Sequence, residues 1–243
     1  ERAYKEMGQV FKPSSSLVDF YLNKVKKYIE LPVANKIKVL EVGSGLGSLF
    51  QDESLIEEEK NYLSILGIDF CLNAVLEAEK MWEDFLCKNK LISKKIDIKF
   101  MMKNILDTLE SKEPYDLIID SHCFHCLNGL NEQNKALKNM VSNLKIGGIL
   151  AIETMVYHKN MSFYPPYYFD SKNSSLFKED RWGTLVRYRT IPDSLELEKM
   201  ILLENLKIEY FTILPNLRMI PESNREKVKE EDPQCLRIIC RKT

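Results

Sequence analysis

The chain has 243 residues, 44% of them hydrophobic and 10% aromatic, which is enough apolar material to bury a full core. Lysine plus arginine number 35 and aspartate plus glutamate 36, a balance that predicts no general pull toward nucleic acid or an anionic membrane. Six cysteines are too sparse for a disulfide scaffold, and no apolar run approaches the roughly 18–20 residues of a membrane helix.

The amino-terminal stretch ERAYKEMGQVFKPSSS lacks the hydrophobic segment of a signal peptide, and with its unpaired cysteines the chain reads as cytoplasmic. Residues 14–30 set Leu17, Val18, Tyr21, Val25, Tyr28 and Ile29 at helical spacing behind a serine cap, predicting a helix with one buried face. Strands are predicted at 37–42, 63–68, 96–101, 116–120 and 148–154. Each is short, apolar and mostly without alternation, the pattern of strands covered on both faces. Helical stretches lie between them at 73–88 and 131–144, the second ended by Gly147 and Gly148. Strand alternating with helix means a parallel sheet wound in βαβ units.

Residues 157–188 break the pattern, being irregular and aromatic around FYPPYYFD. Next to them RWGTLVRYRT, residues 181–190, alternates as a strand does and places Arg187 and Arg189 on one face. The runs 207–213 and 235–241 are strand-like but separated by a charged loop, so an antiparallel pair is the simplest arrangement.

KVLEVGSGLG carries the first strand into Gly43, Gly45 and Gly47. In a parallel sheet ligands collect at the carboxyl ends of the strands where the strand order reverses, and glycines let backbone approach them closely. G-x-G-x-G departs from the dinucleotide spacing G-x-G-x-x-G, and no Gly-Lys-Ser/Thr follows to make a P-loop. Glu41, just ahead, repels phosphate but attracts a ligand's ammonium directly or through water. HCFHC, residues 122–126, invites a zinc reading. Four ligands within five residues do not readily surround one tetrahedral ion, there is no second C-x-x-C, and no metal is predicted.

EVGSGLG resembles the acid-x-G-x-G-x-G motif of class I S-adenosylmethionine-dependent methyltransferases, and the resemblance continues along the chain. It implies that Glu41, Gly43, Ser44, Gly45 and Gly47 form the cofactor loop. In LGIDF, Asp69 would hold the two ribose hydroxyls, with Phe70 beside it. In FMMKNILD, Asn104 would meet the adenine amino group and the Ile105 N–H the ring. YDLIIDSHCFHCL is similar to the fourth motif, so Asp120 and Ser121 would run beneath the methionine part. RTIPDSLELEKM looks like the late helix, with Pro192 in its first turn.

The fold implied is α/β and doubly wound: a mostly parallel, seven-stranded, Rossmann-like sheet with an antiparallel last strand. Residues 1–243 would be a single methyltransferase domain with a helical cover at 1–35 and an acceptor-side insertion at 157–188. The cofactor implied is S-adenosyl-L-methionine, leaving as S-adenosyl-L-homocysteine.

A sulfonium methyl is already activated, so the protein's work is to orient the nucleophile, and a base is needed only when the acceptor must lose a proton. His122 and His125 are the candidate bases, with a packing role for His125 as the alternative. Tyr164, Tyr167, Tyr168 and Trp182 belong to an aromatic set that either walls an acceptor or packs the insertion. Arg187 and Arg189 either fork onto an acceptor's carboxylate or phosphate or are solvated. The reading is methyl transfer to an oxygen or nitrogen of a small molecule, without nucleic acid or membrane. A protein or RNA methyltransferase and a catalytically silent binder of the cofactor are the alternatives.

Overall fold

The computed structural model describes residues 12–29, 36–89, 95–109, 113–221 and 227–243. Its apolar runs become β1 (Lys36–Val42), β2 (Tyr62–Asp69), β3 (Ile96–Met102), β4 (Tyr115–Asp120) and β5 (Leu144–Val156). Three short strands follow, β6 (Tyr167–Asp170), β7 (Ser175–Glu179) and β8 (Leu185–Thr190), then the long β9 (Leu206–Arg218) and β10 (Gln234–Lys242). The main sheet has the order β3-β2-β1-β4-β5-β10-β9. Strands β1 to β5 pair in parallel, and β10 lies antiparallel between β5 and β9. This is the expected doubly wound, seven-stranded sheet with its last strand reversed.

The helices are α1 (Ser15–Asn23), α2 (Glu53–Glu58), α3 (Leu72–Lys88), α4 (Leu130–Asn143) and α5 (Ser194–Leu202). Successive residues of a strand point to opposite faces, so strands without polar alternation need cover on both sides. Val39 packs into a core with Phe20 of α1 and Val75 and Trp82 of α3. Its neighbour Leu40 packs into another with Leu137 and Met140 of α4 and Leu197 of α5. Chain order reverses at β1, which has β2 on one side and β4 on the other, with Val42 opposite Asp120. The carboxyl ends of β1 and β4 therefore flank the crevice in which such sheets bind ligands.

The structure adds or changes five local features. The predicted 14–30 helix is α-helical only to Asn23 and continues as a 3₁₀ turn at Val25–Lys27; residues 1–11 and 30–35 of the expected cover lie outside the described residues. The acidic stretch after the glycines contains α2, because Asp52 accepts the Ser54 N–H at 3.0 Å as an N-cap while Leu55 and Ile56 are buried. Pro192 stands before the first turn of α5: Asp193 is its N-cap, accepting the Leu195 N–H at 2.8 Å.

The aromatic insertion is largely an antiparallel sheet, β6-β7-β8, whose Tyr167 and Leu176 share a small core with Met155 and Ile191. A tight turn at Gly183 (φ +80°) joins β7 to β8, with Asp180 accepting the Trp182 and Thr184 N–H groups at 2.9 Å each. A bulge between Leu176 and Phe177 then overturns the shared face of the two arginines. Arg189 lies opposite Leu176 and Arg187 opposite Phe177, and adjacent residues of β7 face opposite ways.

Candidate active site

The glycine loop is tied to the strands around it by backbone. Gly43 and Ser44 donate to the Ile68 carbonyl at 2.8 and 3.1 Å, and Gly47 donates to that of Ser44 at 3.1 Å. Gly43 has φ +75°, and a Cβ there would stand 2.5 Å from the Cys123 Cβ. Gly45 has φ +57°, and its Cβ would meet no atom within 4 Å. One glycine is needed for close approach, the other for a left-handed turn beside open space.

Glu41 is buried beneath this loop. One oxygen accepts the Ser48 hydroxyl, the other the Leu49 N–H at 2.9 Å and the Ser121 hydroxyl at 2.6 Å. Burial raises its pKa against these bonds. Glu41 thus braces the glycine loop against the end of β4. Asp69 at the end of β2 accepts the Gly45 N–H at 3.0 Å and the Cys71 N–H at 2.9 Å, one per oxygen. Asn104 is exposed and its Oδ1 accepts the Leu106 N–H at 2.9 Å, while Ile105 is buried behind it.

Past β4 the chain makes a 3₁₀ turn, Phe124–Cys126, stapled by Asp120, whose Oδ1 accepts the Phe124 and Cys123 N–H groups at 2.9 and 3.2 Å. Its Oδ2 is buried and has no partner among the described residues, and burial pushes the carboxyl up to about 7. His122 sits at φ +64°, a costly conformation for a side-chain-bearing residue. Its Nε2 lies 2.8 Å from Oε1 of Glu153 in β5. The other oxygen of Glu153 accepts Arg237 Nε at 2.7 Å and the Ser16 hydroxyl at 3.0 Å. His125 is buried, its Nδ1 3.4 Å from the Thr154 hydroxyl. Burial, then the charges of His122 and Arg189, hold its pKa well below the ordinary range, so it is neutral.

These strand ends enclose a cavity of about 210 Å³. Of the residues predicted from sequence, Gly43, Gly45, Asp69, Phe70, Asn104, Ile105, Ser121 and His122 line it. Glu41, Ser44, Gly47, Asp120 and His125 are buried and are not part of that lining. A wider cleft of about 900 Å³ between α1, residues 51–54 and α3 is lined by none of the predicted site residues.

Residues 34–189 match the model of a family described as a methyltransferase domain. The chain belongs to that family. Its fold is shared by solved methyltransferases of low identity. One from Methanosarcina mazei, called S-adenosylmethionine-dependent, is 17% identical, with TM-score 0.67 over 90% of this chain and 96% of the other. Another from Clostridium acetobutylicum, also called S-adenosylmethionine-dependent, is 16% identical, with TM-score 0.59 over 99% and 96%. The 1,6-didemethyltoxoflavin-N1-methyltransferase of Burkholderia thailandensis, solved with 1,6-didemethyltoxoflavin and S-adenosylhomocysteine, is 14% identical, with TM-score 0.53 over 94% and 86%. No curated protein matches the sequence. The chain is therefore an enzyme of the methyltransferase class.

The methyltransferase does not bring its predicted acceptor residues around this cavity. Tyr164, Tyr168 and Trp182 are exposed, and Trp182 stacks under Arg181 at 3.9 Å. Tyr167 is buried with its ring 5.7 Å from that of Tyr188, and Tyr157 stacks on Phe169 at 5.5 Å. Tyr157, Tyr167 and Phe169 thus pack the insertion, and the three exposed rings do not. Arg187 donates to the Asn128 carbonyl at 3.0 Å beside a separate small pocket, and Arg189 lies 4.2 Å over the Tyr188 ring with its charge felt at His125.

The motifs passed over Val42, Ile68, Lys103, Cys123, Cys126 and Leu127, which line the cavity, and Glu153 and Arg237, which hold His122. Glu153 and Arg237 did leave a signal. Each is a charge inside an apolar strand, and charges buried in strands call for partners.

Proposed function

We propose that the enzyme methylates an oxygen or nitrogen of a small molecule, with His122 taking the acceptor's proton. The observation that carries this reading is the placement of His122 on the cavity wall, in a strained backbone conformation, with one ring nitrogen held by a buried carboxylate.

The residues present fit S-adenosylmethionine. Gly45 leaves open space where a side chain would stand, and each Asp69 oxygen keeps a free lone pair beside its single backbone bond for a ribose hydroxyl. Asn104 and Ile105 would border the adenine, and Ser121 and the backbone of Gly43 the methionine part. Glu41 would act through the two loops it braces. When bound, the cofactor supplies a methyl activated by its positive sulfur. The chain's own work is to exclude water, aim the acceptor and accept its proton at His122. His125, neutral and buried, would pack the turn.

The near-zero charge balance argues against RNA as acceptor, and the Burkholderia enzyme with a small heterocycle bound offers a precedent on this fold. Six cysteines that are all free suit a reducing, cytoplasmic setting. The test is incubation with radiolabelled S-adenosylmethionine and small phenols, amines, carboxylates and cell extract, followed by fractionation by size. Label in small molecules is expected. Label confined to protein or RNA would favour a macromolecular acceptor, and none at all a silent binder.

A further inference from the structure

We infer that Glu153 is a positioning residue for His122: clamped by Arg237 and Ser16, it holds the imidazole as the Nε2–H tautomer and leaves Nδ1 to receive the acceptor's proton. The inference rests on the reading of His122 as the base.

A carboxylate only accepts hydrogen bonds, so the 2.8 Å contact requires the proton on Nε2. Glu153 is 1% exposed. Burial pushes its pKa up, but the bonds and charges of His122 and Arg237 outweigh this and leave it below the ordinary carboxylate range, hence ionised at neutral pH. Its freedom to turn is removed from the far side. Arg237, its cross-strand partner in β10, donates Nε to Oε2 at 2.7 Å. Arg237 is in turn fixed by Asp19 and the Ser16 carbonyl, each at 2.7 Å, both on α1. Such a clamp explains how a non-glycine residue is kept at φ +64°.

The chemistry balances. The acceptor's O–H or N–H bond breaks as its proton passes to Nδ1, and its electron pair forms the bond to the methyl carbon while the carbon–sulfur bond breaks, leaving that pair on sulfur. The imidazolium formed is paired with Glu153 and returns its proton to solvent. The charged and titratable groups around the ring are Glu153 from β5, Asp120 from β4, His125 and Cys126 from its own turn, and Arg237 behind Glu153.

The experiment is nitrogen-15 NMR of the three histidines in the full chain with S-adenosylhomocysteine added, for wild type and Glu153→Gln. Methyl-transfer rates against pH are measured in parallel on the acceptor the labelled screen selects. The wild-type His122 should show the Nε2–H tautomer. In Glu153→Gln it should become mixed, because the amide can donate as well as accept. kcat should fall ~10- to 100-fold with KM for S-adenosylmethionine unchanged. An Nδ1–H tautomer in the wild type, or an unchanged tautomer and kcat in Glu153→Gln, overturns the inference. Should that variant fail to fold, Ser16→Ala, which loosens the same carboxylate without removing its charge, is read instead and should shift the tautomer balance the same way, less far; no shift overturns it. His122→Ala separates the two readings. Wild-type rate in that variant defeats the base assignment, whereas a slow His122→Ala beside a fast Glu153→Gln defeats only the role of Glu153.

Discussion

Asp69 and Asn104 were picked out together by their resemblance to one family's motifs, Asp69 directly after a predicted strand and Asn104 three residues beyond another, but their surroundings differ. Asp69 is buried and spans the glycine loop and Cys71, whereas Asn104 is exposed and turned to its own backbone. Asp69→Ala should therefore lower affinity for S-adenosylhomocysteine by about 1.5–3 kcal/mol, the range for a charge-assisted bond, against about 1 kcal/mol for Asn104→Ala. Calorimetry decides it, and equal losses would misplace the ribose contact. Asp120 makes a different prediction. Its folded pKa of about 7 stands above the reference 3.8, so the native state holds a proton that the unfolded chain has released. Stability should fall as pH rises between about 4 and 7, by on the order of 4 kcal/mol, and then level off. Asp120→Asn keeps an oxygen for the Cys123 and Phe124 N–H groups and should flatten that slope, leaving the variant the more stable above pH 7 in a series of thermal melts.

Among the elements, the loop after β1 was announced by its glycine spacing, because a left-handed turn can be read from residue type alone. What presses on it could not be. The Cys123 Cβ, eighty residues on, occupies the space a Gly43 side chain would need. Gly43→Ala should cost about 1–3 kcal/mol from backbone strain and collision together, and weaken S-adenosylhomocysteine binding. Adding Cys123→Gly should recover the collision part and leave the strain; urea midpoints of the two variants would show no recovery if the contact were misjudged. The insertion gave the opposite lesson. Its aromatic density hid β6 and β7, since the chain up to Asp180 was read as irregular, and the bulge between β7 and β8 then defeated the alternation that had marked β8.

On the scale of the whole molecule, the pair Glu153–Arg237 joins β5 to β10 and, through Ser16 and Asp19, to α1. Arg237 is mostly buried, while the Asp19 side chain is 53% exposed. Removing one partner of a buried pair strands the other, so Arg237→Leu should destabilise by about 3–5 kcal/mol, whereas Asp19→Ala should cost about 1 kcal/mol or less. Chemical denaturation of both variants checks the ratio. Comparable costs would mean that Glu153 finds another counter-charge.

The sequence alone determined the parallel strands, the reversed pair at the end and the glycine loop, because apolar runs, turn residues and spacing are properties of neighbouring residues, and its motifs carried the resemblance to the methyltransferase class; α2, β6 and β7 went unread. Tertiary structure decided which charges meet. Glu153 and Arg237 become partners only when β10 inserts antiparallel beside β5, and Cys123 presses on Gly43 only when β4 docks next to β1. It also decided that Tyr157, Phe163, Tyr167 and Phe169 of the insertion share a small core while Tyr164, Tyr168 and Trp182 stay exposed. A ring packs against whatever apolar surface folding brings nearest, and that choice depends on contacts between distant segments that no local pattern records.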